Sequence, residues 1–111
     1  GDGHQSRDFT YVDDAVEANL RAWRRPQASG VYNLGGGSQV EVLEAIRILE
    51  SVLDARADLR FEPRAAGDPL HTRADASRIE RDLDLRPATP IRQGLEREAE
   101  WARGLYTEAR R

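Results

Sequence analysis

Val42, Ile46, Leu49 and Leu53 recur at i, i+4, i+7 and i+11, which lays an apolar stripe along one side of a predicted helix. Ser38 and Glu41 stand before it at capping-box spacing. Val16, Leu20 and Trp23 give a second helix with the same periodicity, with Asp14 and Glu17 as a capping box and Pro26 and Gly30 as its stop. Ile79 and Leu83 mark a short third helix that Pro87 ends. Thr89-Pro90 opens a fourth, continued by Ile91, Leu95, Ala99 and Ala102 and weakened at Gly94 by about 1 kcal/mol relative to alanine. On their apolar stripes, Trp23 and Trp101 are expected in the core.

Strand signals lie between these helices. Residues 8–12 combine two aromatics spaced by two with a β-branched residue, Val31-Tyr32-Asn33-Leu34 is mostly apolar and empties into three glycines, and Leu59 and Phe61 alternate with charge over residues 58–62. Strands alternating with capped helices predict an α/β fold. The sheet looks incomplete, because a strand apolar on both faces needs neighbours and helical cover that are only partly encoded here. Its open edge beside residues 31–34 predicts that the isolated chain self-associates or depends on a partner segment.

Composition narrows the function. A chain of 111 residues buries roughly two-thirds of its surface, enough for one modest core but not for an enclosed site with its own cofactor fold. Without cysteine there is no disulfide or thiolate metal site, and His4 and His71 alone cannot complete a zinc shell, so no metal is expected. A cytoplasmic setting is expected from the absence of cysteine, of a leader pattern and of a long apolar run. Net charge is -3, which disfavours nucleic acid. All seventeen basic residues are arginine, the side chain whose planar fork matches phosphate oxygens. The sequence has no methionine and opens inside a turn, Gly1-Asp2-Gly3, so it is expected to be a piece of something longer.

Few residues announce chemistry by spacing. The Gly35-Gly36-Gly37-Ser38 turn is either a phosphate cradle or a purely structural turn, and Val40 stands where a dinucleotide fingerprint needs its third glycine. Arg7 precedes a predicted strand, and Arg64, Asp68 and Arg73 follow another, so they either converge on an anion or remain solvated. Neither histidine has a nucleophile or paired carboxylate at motif spacing, and no catalytic residue is assigned.

Four segments taken in order carry a family resemblance. They are Gly1 to Asp14 (GDGHQSRDFTYVDD), Val31 to Gly37 (VYNLGGG), Arg64 to Asp68 leading to Ala74 to Arg78 (RAAGD, ADASR), and Asp82 to Pro87 (DLDLRP) before a last helix with Glu100-Trp101. The chain resembles the extended short-chain dehydrogenase/reductases of the NAD-dependent epimerase/dehydratase family, specifically their carboxy-terminal portion. That resemblance implies a small substrate-binding domain plus the last strand and helices of a Rossmann-type nucleotide-binding sheet, over residues 1–111. Arg7 and Arg64 would contact the diphosphate of a nucleotide sugar, with Ala65 in an alternative slot for the second arginine, and Asp68 would hold the ribose hydroxyls.

The family's proton-transfer pair, Tyr-x-x-x-Lys, and its glycine-rich NAD loop are not in these residues, which contain no lysine. The resemblance therefore implies a sugar-nucleotide 4-epimerase of UDP-glucose or UDP-glucuronate type, whose NAD is bound by polypeptide outside this sequence and whose complete form is a homodimer. A dehydratase, reductase or decarboxylase of the same superfamily is the near alternative, and a non-catalytic interaction module is the distant one. This segment alone is expected to be inactive.

Overall fold

The computed structural model describes residues 1–37 and 39–108, the side chains of 107 and 108 excepted. Its elements are β1 (Ser6–Asp8), α1 (Val12–Arg24), β2 (Gln39–Glu41), α2 (Val42–Leu53), α3 (Ser77–Leu83) and α4 (Ile91–Glu108). β1 and β2 pair antiparallel, with Ser6 opposite Glu41, Arg7 opposite Val40 and Asp8 opposite Gln39. A third segment runs parallel to β1 at the isolated Ser6–His71 bridge, where Ser6 N–H donates to the Leu70 carbonyl at 2.8 Å and Thr72 N–H to the Ser6 carbonyl at 3.2 Å.

α2 starts without a side-chain cap because the strands satisfy its first donors. Val42 N–H reaches the Gln5 carbonyl at 3.0 Å and Leu43 N–H the Gly3 carbonyl at 3.1 Å. Gly3 holds φ +86° and lies so close to Leu43 that a Cβ there would strike its isobutyl group. α2 packs on α4, and Ala45 and Ala99 are buried. On the other side, Ala18 of α1 meets Ile79, Leu83 and Leu85, with Tyr32 and Leu34 packed against them.

The helices beginning near residues 42, 77 and 91 follow the sequence pattern; the strands do not. The first extended segment lies at 6–8 rather than 8–12, and Val12 already belongs to α1. Residues 31–34 and 58–62 form no ladder. Val31 and Phe61 are exposed, and only Tyr32 and Leu34 of the 31–34 run turn inward. Strand pairing needs a partner, and no described segment forms a bridge with them. Ser38 of the predicted capping box lies outside the described residues, and the expected helix start there is replaced by β2. Tyr11 caps α1 without a side-chain bond; Asp14 instead accepts from Ala88 and Thr89 N–H, tying α1 to the approach of α4. Gly94 earns its place, since the Tyr11 ring would lie 3.3 Å from a Cβ there.

The two tryptophans expected in the core are on the surface, Trp23 78% and Trp101 65% exposed. Val12, Val16 and Leu20 accompany Trp23 along one bare side of α1. The cause is global. The chain is a slab 20 Å thick with a radius of gyration of 16.8 Å, against about 13 Å for a compact domain of this length. Its accessible surface is 8367 Å², against about 6,200 Å² for a compact protein of its mass. The helices have apolar sides facing no layer within these residues. No described helix is long and apolar enough to cross a membrane.

Candidate functional site

Strand alternation sends Arg7 to one side of β1 and Ser6 and Asp8 to the other. On its side, Arg7 meets the segment that returns along β1. Its Nη2 donates to Asp68 Oδ1 at 2.6 Å, while Nη1 donates to the Ser6 and Pro69 carbonyls at 2.8 and 3.0 Å and, at 3.5 Å, to that of Leu70. The guanidinium is thus fixed along one edge. Nε–H and the second Nη2 proton have no acceptor among the described residues, and the side chain is 29% exposed. A cation held by backbone carbonyls with donors left over is preorganised for an anion, because its rotamer entropy is already spent on those bonds.

Of the three residues singled out from the sequence, the fold brings Arg7 and Asp68 together across 61 positions. Arg64 does not join them; it is exposed and makes no hydrogen bond or ion pair with a described residue. Arg73 lines a separate open depression of about 720 Å³ with Asp8, Gly35, Ser77 and Arg86. Arg86 there is paired to Glu80, which raises its pKa. The depression mixes both charges and lacks the Arg7–Asp68 pair.

Asp8 is the functional-site neighbour that sequence reasoning missed. Its Oδ1 accepts from Gly36 N–H at 2.6 Å and its Oδ2 from Ala74 N–H at 3.1 Å. A Cβ at Gly35 would collide with this carboxylate and lie 2.8 Å from Ala74 Cβ, and one at Gly36 would run into the Phe9 carbonyl. The triple-glycine turn is therefore built around a protein carboxylate. Gly36 N–H is already spent, which favours the structural alternative over a phosphate cradle.

The histidines serve local contacts. His4 Nδ1 lies 3.0 Å from Glu41 Oε2, and His71 Nδ1 lies 2.8 Å from the hydroxyl of buried Ser6. No group of three His, Cys, Asp or Glu side chains suited to a metal occurs among the described residues.

The fold, with an arginine in the middle of a short strand beside an Asp-bearing return segment, is similar to part of known nucleotide-sugar enzymes. Residues 1–35 match the NAD dependent epimerase/dehydratase family, and relatives of that kind align along nearly the whole chain. It is 36% identical over 107 residues, 96% of its length, to the uncharacterized UDP-glucose epimerase YtcB of Bacillus subtilis. It is 36% identical over 97 residues to UDP-glucuronic acid decarboxylase 1 of Arabidopsis thaliana, covering 87% of this chain and 22% of that one. The crystal structure of UDP-glucuronic acid 4-epimerase from Bacillus cereus, in complex with UDP-glucuronic acid and NAD, superposes with a TM-score of 0.83 at 33% identity over 96% of this chain. The chain spans about a third of the length of YtcB and of that epimerase, 34% in both cases. It has the α/β fold of the corresponding part of that epimerase.

Proposed function

We propose that residues 1–111 are the carboxy-terminal, substrate-binding portion of a NAD-dependent sugar-nucleotide 4-epimerase acting on UDP-glucose or UDP-glucuronate, and that they grip the nucleotide while the reaction is run by groups outside this sequence. The observation that carries the reading is the Arg7 guanidinium, anchored to carbonyls on one edge, paired with Asp68 and left with donors to spare. Arg7 binds the diphosphate of UDP, where charge-assisted bonds contribute about 1.5–3 kcal/mol each. Asp68 accepts from the ribose hydroxyls. Arg64 adds a second guanidinium, swinging in from its exposed loop.

NAD, bound elsewhere in the complete enzyme, supplies the hydride acceptor and donor for transient oxidation of the sugar. No residue of this chain is assigned a proton transfer. Its contribution is orientation: holding the pyrophosphate fixes the sugar for a step performed by other residues. The relatives that epimerise UDP-glucose and UDP-glucuronic acid support the epimerase reading, and the decarboxylase relative keeps decarboxylation as the second reading. The complete enzyme is placed in the cytoplasm as a homodimer.

Calorimetric titration of UDP tests the binding role, with duplex DNA as control. Saturable UDP binding by the wild-type chain that Arg7→Ala weakens supports it. Preference for DNA, falling with added salt, replaces it with the interaction-module reading.

A further inference from the structure

Besides the Ser6–His71 side-chain bond and the bonds from Arg7 to the Pro69 and Leu70 carbonyls, four contacts fasten the segment 68–74 to β1. Asp68 meets Arg7, Leu70 and Thr72 bracket Ser6, and Ala74 N–H ends on Asp8 at 3.1 Å. The first depends on an ion pair and the middle two on backbone. The last depends on one side chain, and that side chain also holds the glycine turn through Gly36 at 2.6 Å. Its surroundings leave no slack, since Gly35 and Gly36 have no room for a Cβ against Asp8, Ala74 and Phe9. Asp8 and Arg7 are consecutive, so a shift of the Asp8 carboxylate moves the backbone that carries the guanidinium. A shift of Ala74 moves the chain that carries Asp68.

We infer that Asp8 is a positioning residue for the anion site: without touching the ligand, its carboxylate locks the Asp68-bearing segment and the glycine turn in register with Arg7. The inference rests, for the ligand it serves, on the UDP-binding reading. The chemistry requires a carboxylate. Two N–H groups from different segments each need an acceptor, and the two oxygens of one ionised carboxylate provide them. Asparagine has the same shape but presents one oxygen and one NH₂, and the NH₂ would face an N–H donor. One of the two segments is then released.

The experiment compares wild type, Asp8→Asn and Arg7→Ala by UDP titration, together with arginine side-chain NMR of the free proteins. Wild type is expected to bind UDP, Asp8→Asn to bind about tenfold more weakly with near-UV dichroism retained, and its Arg7 Nη resonances to lose the signature of the Asp68 pair. Unchanged UDP affinity in folded Asp8→Asn overturns the inference while leaving the binding role intact. If neither wild type nor Arg7→Ala binds UDP, the functional reading has failed. The free-protein spectra then decide: release of the Arg7–Asp68 pair in Asp8→Asn upholds the register role, and its persistence overturns it. Should Asp8→Asn not fold, scalar couplings across the hydrogen bonds from the Asp8 carboxylate to the Gly36 and Ala74 amides are read in wild type, and their absence overturns the assignment.

Discussion

Arg7 and Asp68 face each other at 2.6 Å from positions 61 residues apart, and the partner of the carboxylate is the group that would otherwise meet a phosphate. Removing the guanidinium in Arg7→Ala is expected to weaken UDP binding by roughly 1.5–3 kcal/mol in the chain or the complete enzyme. Arg7→Lys should recover only part of this, since one ammonium cannot serve the carbonyls, Asp68 and a phosphate from a planar fork. An unchanged dissociation constant for Arg7→Ala would remove Arg7 from the site.

Neutralising the carboxylate separates its two roles. Asp68→Asn should bind inorganic pyrophosphate more tightly than wild type, because the internal anion no longer competes for Nη2, yet bind UDP more weakly if Asp68 accepts from the ribose. Parallel titrations with the two ligands check this, and shifts of the same sign for both would contradict it.

Glycine is needed at 36 for space and at 67 for conformation. Gly36→Ala drives a methyl into the Phe9 carbonyl and should unfold the chain or cost well over about 3 kcal/mol in urea denaturation. Gly67 holds φ +84° with open space around it, so Gly67→Ala should cost only about 1–2 kcal/mol. Equal losses at both positions would contradict this reading of the turn.

The helices were legible in the sequence because their signal is local: a stripe every three to four residues, a proline after the end, Thr89-Pro90 at a start. The strands were not. Val31 to Leu34 has strand composition, but propensity reports fitness for a pleated, half-buried surface, and the ladder also needs a partner that these residues do not supply. The same deficit misplaced Trp23 and Trp101, whose helical stripes were read correctly and whose burial was not. At the site, motif resemblance pointed to Arg7 and Asp68, and their meeting required the fold. Asp8 gave no signal by spacing, since its partners lie 28 and 66 positions away.

The bare side of α1 predicts association. Val12, Val16, Leu20 and Trp23 form an exposed apolar stripe, so the isolated 111-residue chain should self-associate in sedimentation velocity at micromolar concentration. The double substitution Leu20→Glu with Trp23→Glu should shift it to monomer. The contact is thus assigned to a helix face rather than to the strand edge at residues 31–34 that the sequence pattern suggests. A monomeric wild-type chain would contradict it.

Acid should loosen α3. Asp75 lies below its ordinary pKa of 3.8, chiefly through the Ser77 hydroxyl and then the Ser77 backbone N–H, and Asp82 lies below it chiefly through its bond from Arg81. Depressed folded-state values mean that both groups stabilise the fold above their unfolded pKa of about 4 and lose that contribution as pH falls through the lower folded values. Thermal melts between pH 5 and pH 2 should show a steeper acid loss for wild type than for Asp75→Asn. Parallel curves would contradict the assignment.

Arginine also serves as the seam of this molecule. Arg21 donates to the Leu83 and Asp84 carbonyls, Arg25 to Asp82, and Arg78 to Ser29 and Val31, so chain ends that regular structure leaves open are closed by guanidinium groups. With no lysine anywhere, every one of these fastenings is a planar guanidinium with several N–H donors, able to serve two carbonyls at once. Amine-directed reagents therefore find no side chain to modify, and the seam stays intact under lysine-specific labelling.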